Sequence, residues 1–404
     1  MRLTLVISSI SSGGAERVMS IMANYWVVQE WEITLLTFDD GSKPPFYDLD
    51  FRIRHISLNI AGESPNPVIR IWNNLKRVHV LQTAIAQSKP DAVISFIDQV
   101  NVLTLLATRS LNIPVVVSER VDPTLYSIGR IWEQLRRWTY PLCDRLVVQA
   151  QGALNYFSSE LPNRVCIIPI LYVRYVRYCR GERPFAPTVD IFAKIGYSHR
   201  VCIIPNPVLL PTKRKATSDK VAVERVLIAI GRFTRQKGFD LLLQAFARLK
   251  DDYPEWTVMI LGDGELRTEL ESMRNQLGLS ERVNFPGVVK NPDKFLVEAD
   301  IFVMPSRFEG FPNALCEAMA CGLPVISTDC PSGPREIIRH DVDGILVPNE
   351  NVEALVAAME HLMSDEAERT RLSTRAPEVL ERFSLEKVMG MWEKLLAQVV
   401  EERT

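Results

Sequence analysis

Short β-rich apolar runs alternate with stretches of helical periodicity along nearly the whole chain, and that alternation leaves few folds open. Residues 3–7, 33–38, 92–96, 115–117 and 146–148 predict buried strands in the first half, and 226–230, 256–261, 283–285, 301–303, 325–327 and 345–347 predict them in the second. Strands and helices alternating at this spacing build parallel sheets flanked by helices, and ligands gather where the carboxyl ends of such strands meet their loops. A chain of 404 residues exceeds what one hydrophobic core usually serves. We therefore expect an α/β protein of two Rossmann-like parallel-sheet domains facing across a cleft.

The boundary is expected within 206–217, where Asn206-Pro207, Leu210-Pro211-Thr212 and Lys213-Arg214-Lys215 interrupt the pattern. This gives an N-terminal domain over 1–208, a C-terminal domain over 209–384 and a last helix over 385–404. That helix carries Val388, Trp392, Leu395, Leu396 and Val399 at helical spacing and is expected to pack back on the body. Arg-Val-Cys-Ile-Ile-Pro occurs twice, at 164–169 and 200–205, around a segment rich in Tyr and Arg. Two copies do not make a solenoid. They predict an insertion over 170–205, because the first copy joined directly to Asn206-Pro207 reads as an ordinary strand and turn.

Bulk composition excludes several classes. The net charge of −2 supplies no global basic face, so no nucleic-acid partner is expected. Seven cysteines form no Cys-x-x-Cys pair, which indicates neither a disulfide framework nor a zinc knuckle and fits a reducing cytoplasm. No apolar run approaches the roughly 18 residues of a spanning helix, and residues 1–10 are unlike a signal peptide, so any membrane contact is expected to be peripheral.

Four stretches place chemistry at predicted strand ends. Ser12-Gly13-Gly14-Ala15-Glu16-Arg17 comes after the first strand and opens a helix; such glycines allow close backbone approach and a helix N-terminus attracts an anion, although tight strand-to-helix packing explains them equally. Gly231-Arg232-Phe233-Thr234-Arg235-Gln236-Lys237-Gly238 sets Arg232 and Lys237 where they can neutralise a diphosphate, or form a solvated charged loop. Gly262-Asp263-Gly264-Glu265 is either a nucleotide-approach loop or a plain turn. Downstream of Pro305-Ser306-Arg307-Phe308-Glu309-Gly310-Phe311-Pro312-Asn313, a short helix bears Glu317 and ends near Gly322, with Glu309 in the loop before it. That helix start suits a phosphate or a sugar hydroxyl, and both carboxylates can accept hydrogen bonds from sugar and ribose hydroxyls.

Glu309 and Glu317, with seven residues between them, form the EX7E pattern, and on these motifs together the chain resembles the retaining GT-B glycosyltransferases of family GT4. Gly13-Gly14, Asn206-Pro207, Gly231-Arg232 with Lys237-Gly238, and Gly262-Asp263-Gly264 fall in that family's order. The run Cys330-Pro331-Ser332-Gly333-Pro334-Arg335-Glu336 resembles bacterial members that add N-acetylhexosamine or related sugars to polyprenyl-diphosphate-linked or polysaccharide acceptors. The resemblance implies that Arg232 and Lys237 hold the donor diphosphate, that Glu309 contacts the donor sugar and Glu317 the ribose, and that Gly231, Gly262, Gly264, Glu265, Ser306, Gly310, Phe311 and Pro312 complete the donor site. It also implies a nucleotide diphosphate sugar, UDP-linked, as co-substrate and retention without a metal cofactor.

One departure concerns the first domain. Where many members carry a histidine facing the donor sugar, this chain reads Ser118-Glu119-Arg120-Val121-Asp122, so Glu119, Arg120 or Asp122 either replaces it or caps the next helix. The five histidines show no metal-like spacing, and Asp48-Leu49-Asp50 is expected to be a turn. Two stretches, 71–78 and 130–138, pair Trp and apolar residues with basic ones at helical spacing, as interfacial helices do and as core-covering helices also do. The expected partners are therefore a nucleotide sugar and a lipid-linked or polysaccharide glycan, at the cytoplasmic face of the plasma membrane. The competing expectation is an inactive nucleotide-sugar-binding protein whose cleft the insertion disturbs.

Overall fold

The computed structural model describes residues 1–62, 67–121, 123–124, 126–160, 201–211 and 224–403. It divides into two units, Met1–Pro205 with Met389–Thr404, and Asn206–Val388. Both are the parallel α/β sheets that the alternation predicts.

The first unit runs β1 (Arg2–Ile7), α1 (Gly14–Val28), β2 (Glu32–Thr37), β3 (Arg54–Ser57), α2 (Pro67–Ser88), β4 (Ala92–Phe96), α3 (Asp98–Thr108), β5 (Val115–Ser118), α4 (Arg130–Thr139), β6 (Arg145–Val148), α5 (Gln151–Glu160) and β7 (Val201–Ile203). Its strands lie parallel in the order β3-β2-β1-β4-β5-β6-β7. Strands β1, β4, β5 and β6 are mostly apolar and, apart from Arg2, buried along their whole length, because helices cover both faces of the sheet. β3 escapes the sequence pattern: it is an edge strand, and none of its four residues is fully buried. Of the two identical hexapeptides, the second supplies β7, pairing Val201 with Leu146 and Cys202 with Val147. The first copy and the remainder of the predicted insertion lie outside the described residues.

The second unit runs β8 (Arg225–Ile230), α6 (Phe239–Leu249), β9 (Trp256–Leu261), α7 (Arg267–Gln276), β10 (Val283–Gly287), α8 (Asp293–Leu296), β11 (Ile301–Met304), α9 (Asn313–Ala320), β12 (Val325–Asp329), α10 (Pro334–Ile337), β13 (Ile345–Pro348), α11 (Val352–Ser364), α12 (Glu366–Arg375) and α13 (Val379–Phe383). Its six parallel strands are ordered β10-β9-β8-β11-β12-β13. One core layer gathers Phe233, Phe246 and Trp256 with Met359 and Leu362 of α11. The other packs α9 through Leu315, Cys316 and Met319 against Phe302 and Val379.

The last helix, α14 (Leu385–Glu401), carries the chain back to the first unit. Its stripe of Val388, Trp392, Leu395, Leu396 and Val399 is buried throughout. Trp392 lies 6.3 Å from the Phe96 ring, and Arg403 grips Asp144 through two hydrogen bonds of 2.9 and 3.1 Å. Trp392→Ala removes a large side chain from a closed core, so we predict a loss of about 3–5 kcal/mol, measured by urea unfolding. A loss under about 1 kcal/mol would show that the helix end is only draped over the sheet.

Candidate active site

In an open parallel sheet the crevice for a ligand opens where the strand order reverses. In the second unit that point lies between β8 and β11, so the loops after these two strands, 231–238 and 305–312, flank it. Glycine lets the neighbouring loops close up. Gly262 has φ +144°, and a Cβ there would stand 1.9 Å from the Gly231 carbonyl oxygen; Gly238, at φ +64°, would bring one to 2.1 Å from the carbonyl oxygen of Pro305. The close approach that these two residues permit is thus to the chain's own backbone.

The packing brings together two groups 72 residues apart. The Lys237 Nζ lies 2.6 Å from Glu309 Oε1, and the Ser306 hydroxyl donates to the same oxygen at 2.6 Å. Glu309 is buried and Lys237 half-buried, so the pair is shielded more than an ordinary surface ion pair. Both described donors use Oε1, which leaves Oε2 as the oxygen suited to accept from a sugar hydroxyl. The backbone of this loop is pinned from β12 and beyond: the Ser332 hydroxyl donates to the Glu309 carbonyl at 2.6 Å, and Thr328 donates to that of Ser306. Cys330, behind the pair, is buried and its thiol is pushed up to about 12, so it stays protonated.

Arg307, which sequence reasoning passed over, ties the two loops together. Its guanidinium forms a bidentate pair with Asp240 at 2.8 and 2.7 Å, donates to the Arg235 carbonyl at 2.9 Å and reaches Glu350 at 2.7 Å. Its own amide donates to the Gln236 carbonyl at 2.7 Å, while the Gln236 side chain donates to the Phe308 carbonyl at 2.9 Å. Burial alone would raise the Asp240 carboxyl, but the hydrogen bonds and charge of Arg307 outweigh it and hold that group below its ordinary value. Three hydrogen bonds therefore lock the loop bearing Lys237 to the loop bearing Glu309, and the Asp240 pair ties the latter to the start of α6.

Of the other predicted donor residues, Gly231 lies against Lys237, where a Cβ would stand 3.0 Å from the lysine side chain. Arg232 and Glu265 are exposed at the ends of β8 and β9; Gly231, Gly264, Gly310 and Phe311 are partly buried, and Pro312 is buried as the N-cap of α9. Glu317 is half-buried on the second turn of that helix. Among the described residues no cluster of His, Cys, Asp and Glu is arranged to hold a metal.

In the first unit the strand order reverses between β1 and β4. Gly13 is buried at the start of α1, and Gly14 is exposed as its first residue. The residue after β4, Ile97, has φ +76°, a conformation that a β-branched side chain rarely adopts; backbone strain of this kind concentrates at functional sites. Beside it, the Arg120 guanidinium lies 3.4 Å from the centroid of Phe96. Glu119 is enclosed: it accepts from the Tyr140 hydroxyl, Arg136 NH1 stands 3.8 Å away, and Asn101 Nδ2 donates to the Tyr140 oxygen at 3.2 Å. Burial and the nearby Asp98 carboxylate push the Glu119 carboxyl up to about 7, against the pull of Arg136 and Tyr140. Asp122 lies outside the described residues.

Comparison with known proteins agrees with this architecture. Residues 212–379 match the family model of the glycosyl transferases group 1, and residues 13–170 match a glycosyl transferase 4-like domain. The chain is 28% identical over 400 residues, covering 99% of both chains, to the GalNAc-alpha-(1->4)-GalNAc-alpha-(1->3)-diNAcBac-PP-undecaprenol alpha-1,4-N-acetyl-D-galactosaminyltransferase of Campylobacter jejuni. Among solved structures it is similar in fold to sucrose-phosphate synthase from Thermosynechococcus elongatus, with a TM-score of 0.74 and 17% identity over 99% of each chain. Anabaena HepE in complex with UDP is comparable, at TM-score 0.72 and 18% identity over 98% of this chain and 100% of that one.

This geometry carries two testable consequences. Arg307→Lys cannot make the bidentate contact, so kcat/KM for the donor should fall about tenfold or more, with a near-parental thermal midpoint; Asp240→Asn should do the same, and unchanged kinetics would sink the positioning role. Glu119 has its folded pKa raised from 4.5 to about 7, so its contribution to stability is fully present below the lower value and is lost as pH rises through the upper one. From about pH 5 to about pH 8 the thermal midpoint of the parent should therefore drop relative to that of Glu119→Gln, and parallel profiles would contradict the buried acid.

Proposed function

We propose, from the premise that this chain belongs to the glycosyl transferases group 1 and is a glycosyltransferase enzyme, that it moves a hexosyl or N-acetylhexosaminyl group from a UDP-linked sugar to a polyprenyl-diphosphate-linked glycan with retention of configuration. The observation that carries this reading is the 2.6 Å approach of Lys237 Nζ to Glu309 Oε1 at the switch point between β8 and β11. It sets a cation suited to a departing diphosphate beside a carboxylate suited to a sugar hydroxyl.

On donor binding Lys237 and Arg232 neutralise the diphosphate, and the phosphate–sugar bond breaks as negative charge grows on the leaving oxygen. The acceptor hydroxyl attacks from the face that the leaving group vacates, and the departing phosphate oxygen takes its proton. Configuration is thereby retained, and neither an enzymic nucleophile nor a metal ion is required by this scheme. Glu309 holds the donor sugar, Glu317 the ribose, and the backbone around Gly310 to Pro312 the phosphate side. In the first unit the loop at Gly13-Gly14 and the backbone beside Arg120 receive the acceptor, while the Glu119 side chain stays enclosed by Tyr140 and Arg136.

The lipid-linked acceptor is supported by the Campylobacter relative, whose name gives an undecaprenyl-diphosphate-linked glycan as its substrate and whose length matches this chain almost completely. Such an acceptor implies action at the cytoplasmic face of the inner membrane, with peripheral contact. Release of UDP from UDP-N-acetylhexosamines in the presence of polyprenyl-diphosphate glycans tests the reading. Glu309→Gln and Lys237→Ala should each lower that turnover by about a hundredfold or more, and full turnover in either variant would refute the assignment.

A further inference from the structure

We infer that the outward face of α2 and α4 in the first unit is a docking surface for an anionic lipid bilayer. The helix stripes at 71–78 and 130–138 have two possible fates, and the structure divides them. Val78, Trp132 and Leu135 turn inward onto the core. Trp138 and Ile131 of α4 turn outward, 67% and 70% exposed, and so do Trp72 and Leu75 of α2, 71% and 60% exposed. These are large apolar side chains left in water on two helices that both pack against α3 and so belong to one layer. Helices that step across a parallel sheet in one direction lie on the same side of it, as α2, α3 and α4 do.

The charge around them selects the partner. Ile131 and Trp138 share their side of α4 with Arg130 and Arg137; the one acidic residue of that helix, Glu133, is partly buried and accepts from the Ser127 hydroxyl at 2.8 Å. Lys76 lies beside Trp72 and Leu75, and the 22 residues of α2 contain no Asp or Glu at all. Tryptophan places an apolar ring with one polar N–H at the depth of lipid head groups, and adjacent Arg and Lys are drawn to anionic ones. A protein partner matching this face would need an acidic rim around an apolar centre; an anionic bilayer supplies both over any area. No helix among the described residues is long and apolar enough to cross a membrane, so the contact is one of lying on the surface. This inference rests on the lipid-linked acceptor proposed above.

The test is sedimentation of the full chain with vesicles of phosphatidylglycerol and phosphatidylethanolamine, compared with phosphatidylcholine alone, without donor or acceptor. The parent should pellet with the anionic vesicles and be released by salt. Ile131→Glu with Trp138→Glu, and separately Arg130→Gln with Arg137→Gln, should weaken that binding about tenfold or more. The first variant should still transfer sugar to a water-soluble short-prenyl diphosphate acceptor at the parental rate. Failure of the parent to bind anionic vesicles, or undiminished binding by both variants, overturns the surface. So does a dimer of the parent in sedimentation velocity that the Glu variant abolishes, since the face would then join two copies of the chain. Loss of transfer to every acceptor with vesicle binding intact would overturn the proposed activity and leave the surface standing.

Discussion

Everything proposed for the second unit depends on the bidentate contact between Arg307 and Asp240. Lys237 and Glu309 belong to loops that leave different strands, so their separation is set by how the two loops are held to one another. Pairing a mobile lysine with a mobile carboxylate yields little, because the ordering entropy offsets a solvent-screened attraction. Arg307 changes the terms. Its planar fork fixes the helix start at Asp240 and the turn at Arg235, while its backbone holds Gln236. The ion pair then forms between groups already held in place, and the same rigidity suits the donor proposed to span both loops.

The two units solve a shared geometric problem with different chemistry. Each sheet reverses its strand order once and gathers polar residues there. At the β8/β11 crevice the groups are an ion pair and neighbouring hydroxyls around a partly accessible lysine. Near β1, β4 and β5 they form a closed set: a carboxyl held toward its acid form, a phenol, an asparagine and a buried arginine. Groups that exchange charge with a passing ligand suit the first arrangement, whereas the second is built to keep its own shape. Strain at Ile97 sits against this closed set, which is where it can be sustained: the Ile97 amide donates to the Ser118 carbonyl at 3.2 Å, and that carbonyl also accepts from Asn101 at 3.0 Å.

Much of this fold was legible in the sequence because a parallel sheet covered on both faces forces apolar runs, and eleven such runs predict strands observed within a few residues of their expected ends. β3 was not legible, since a partly exposed edge strand has no reason to be apolar. For the candidate site, local pattern located the loops but not their pairing. Nothing in Gly-Arg-Phe-Thr-Arg-Gln-Lys says that its last residue will meet a glutamate 72 positions on. Arg307 and Asp240 read as ordinary charged positions, one in a loop and one in a helix's first turn. The available signal was an arginine directly beside Ser306 in the most distinctive stretch of the chain. Helical periodicity likewise located the stripes of α2 and α4 but could not say which tryptophan would turn inward.

The duplicated hexapeptide shows the same limit from the other side. Two identical segments have identical strand propensity, so propensity cannot decide which of them completes the first sheet. Their downstream neighbours distinguish them. Only the second copy continues into Asn206-Pro207-Val208, where Asn206 donates to Asn313 at 2.7 Å and the Val208 amide donates to the Phe383 carbonyl at 2.8 Å. A strand placed by the second copy leads straight into these contacts. With the first copy in the sheet, 36 residues would pass from before the strand to after it, between the strand and these contacts, so loop closure costs much the same either way. Because the copies are identical, the side chains entering the sheet are the same either way, and what differs is on which side of the strand the intervening residues fall.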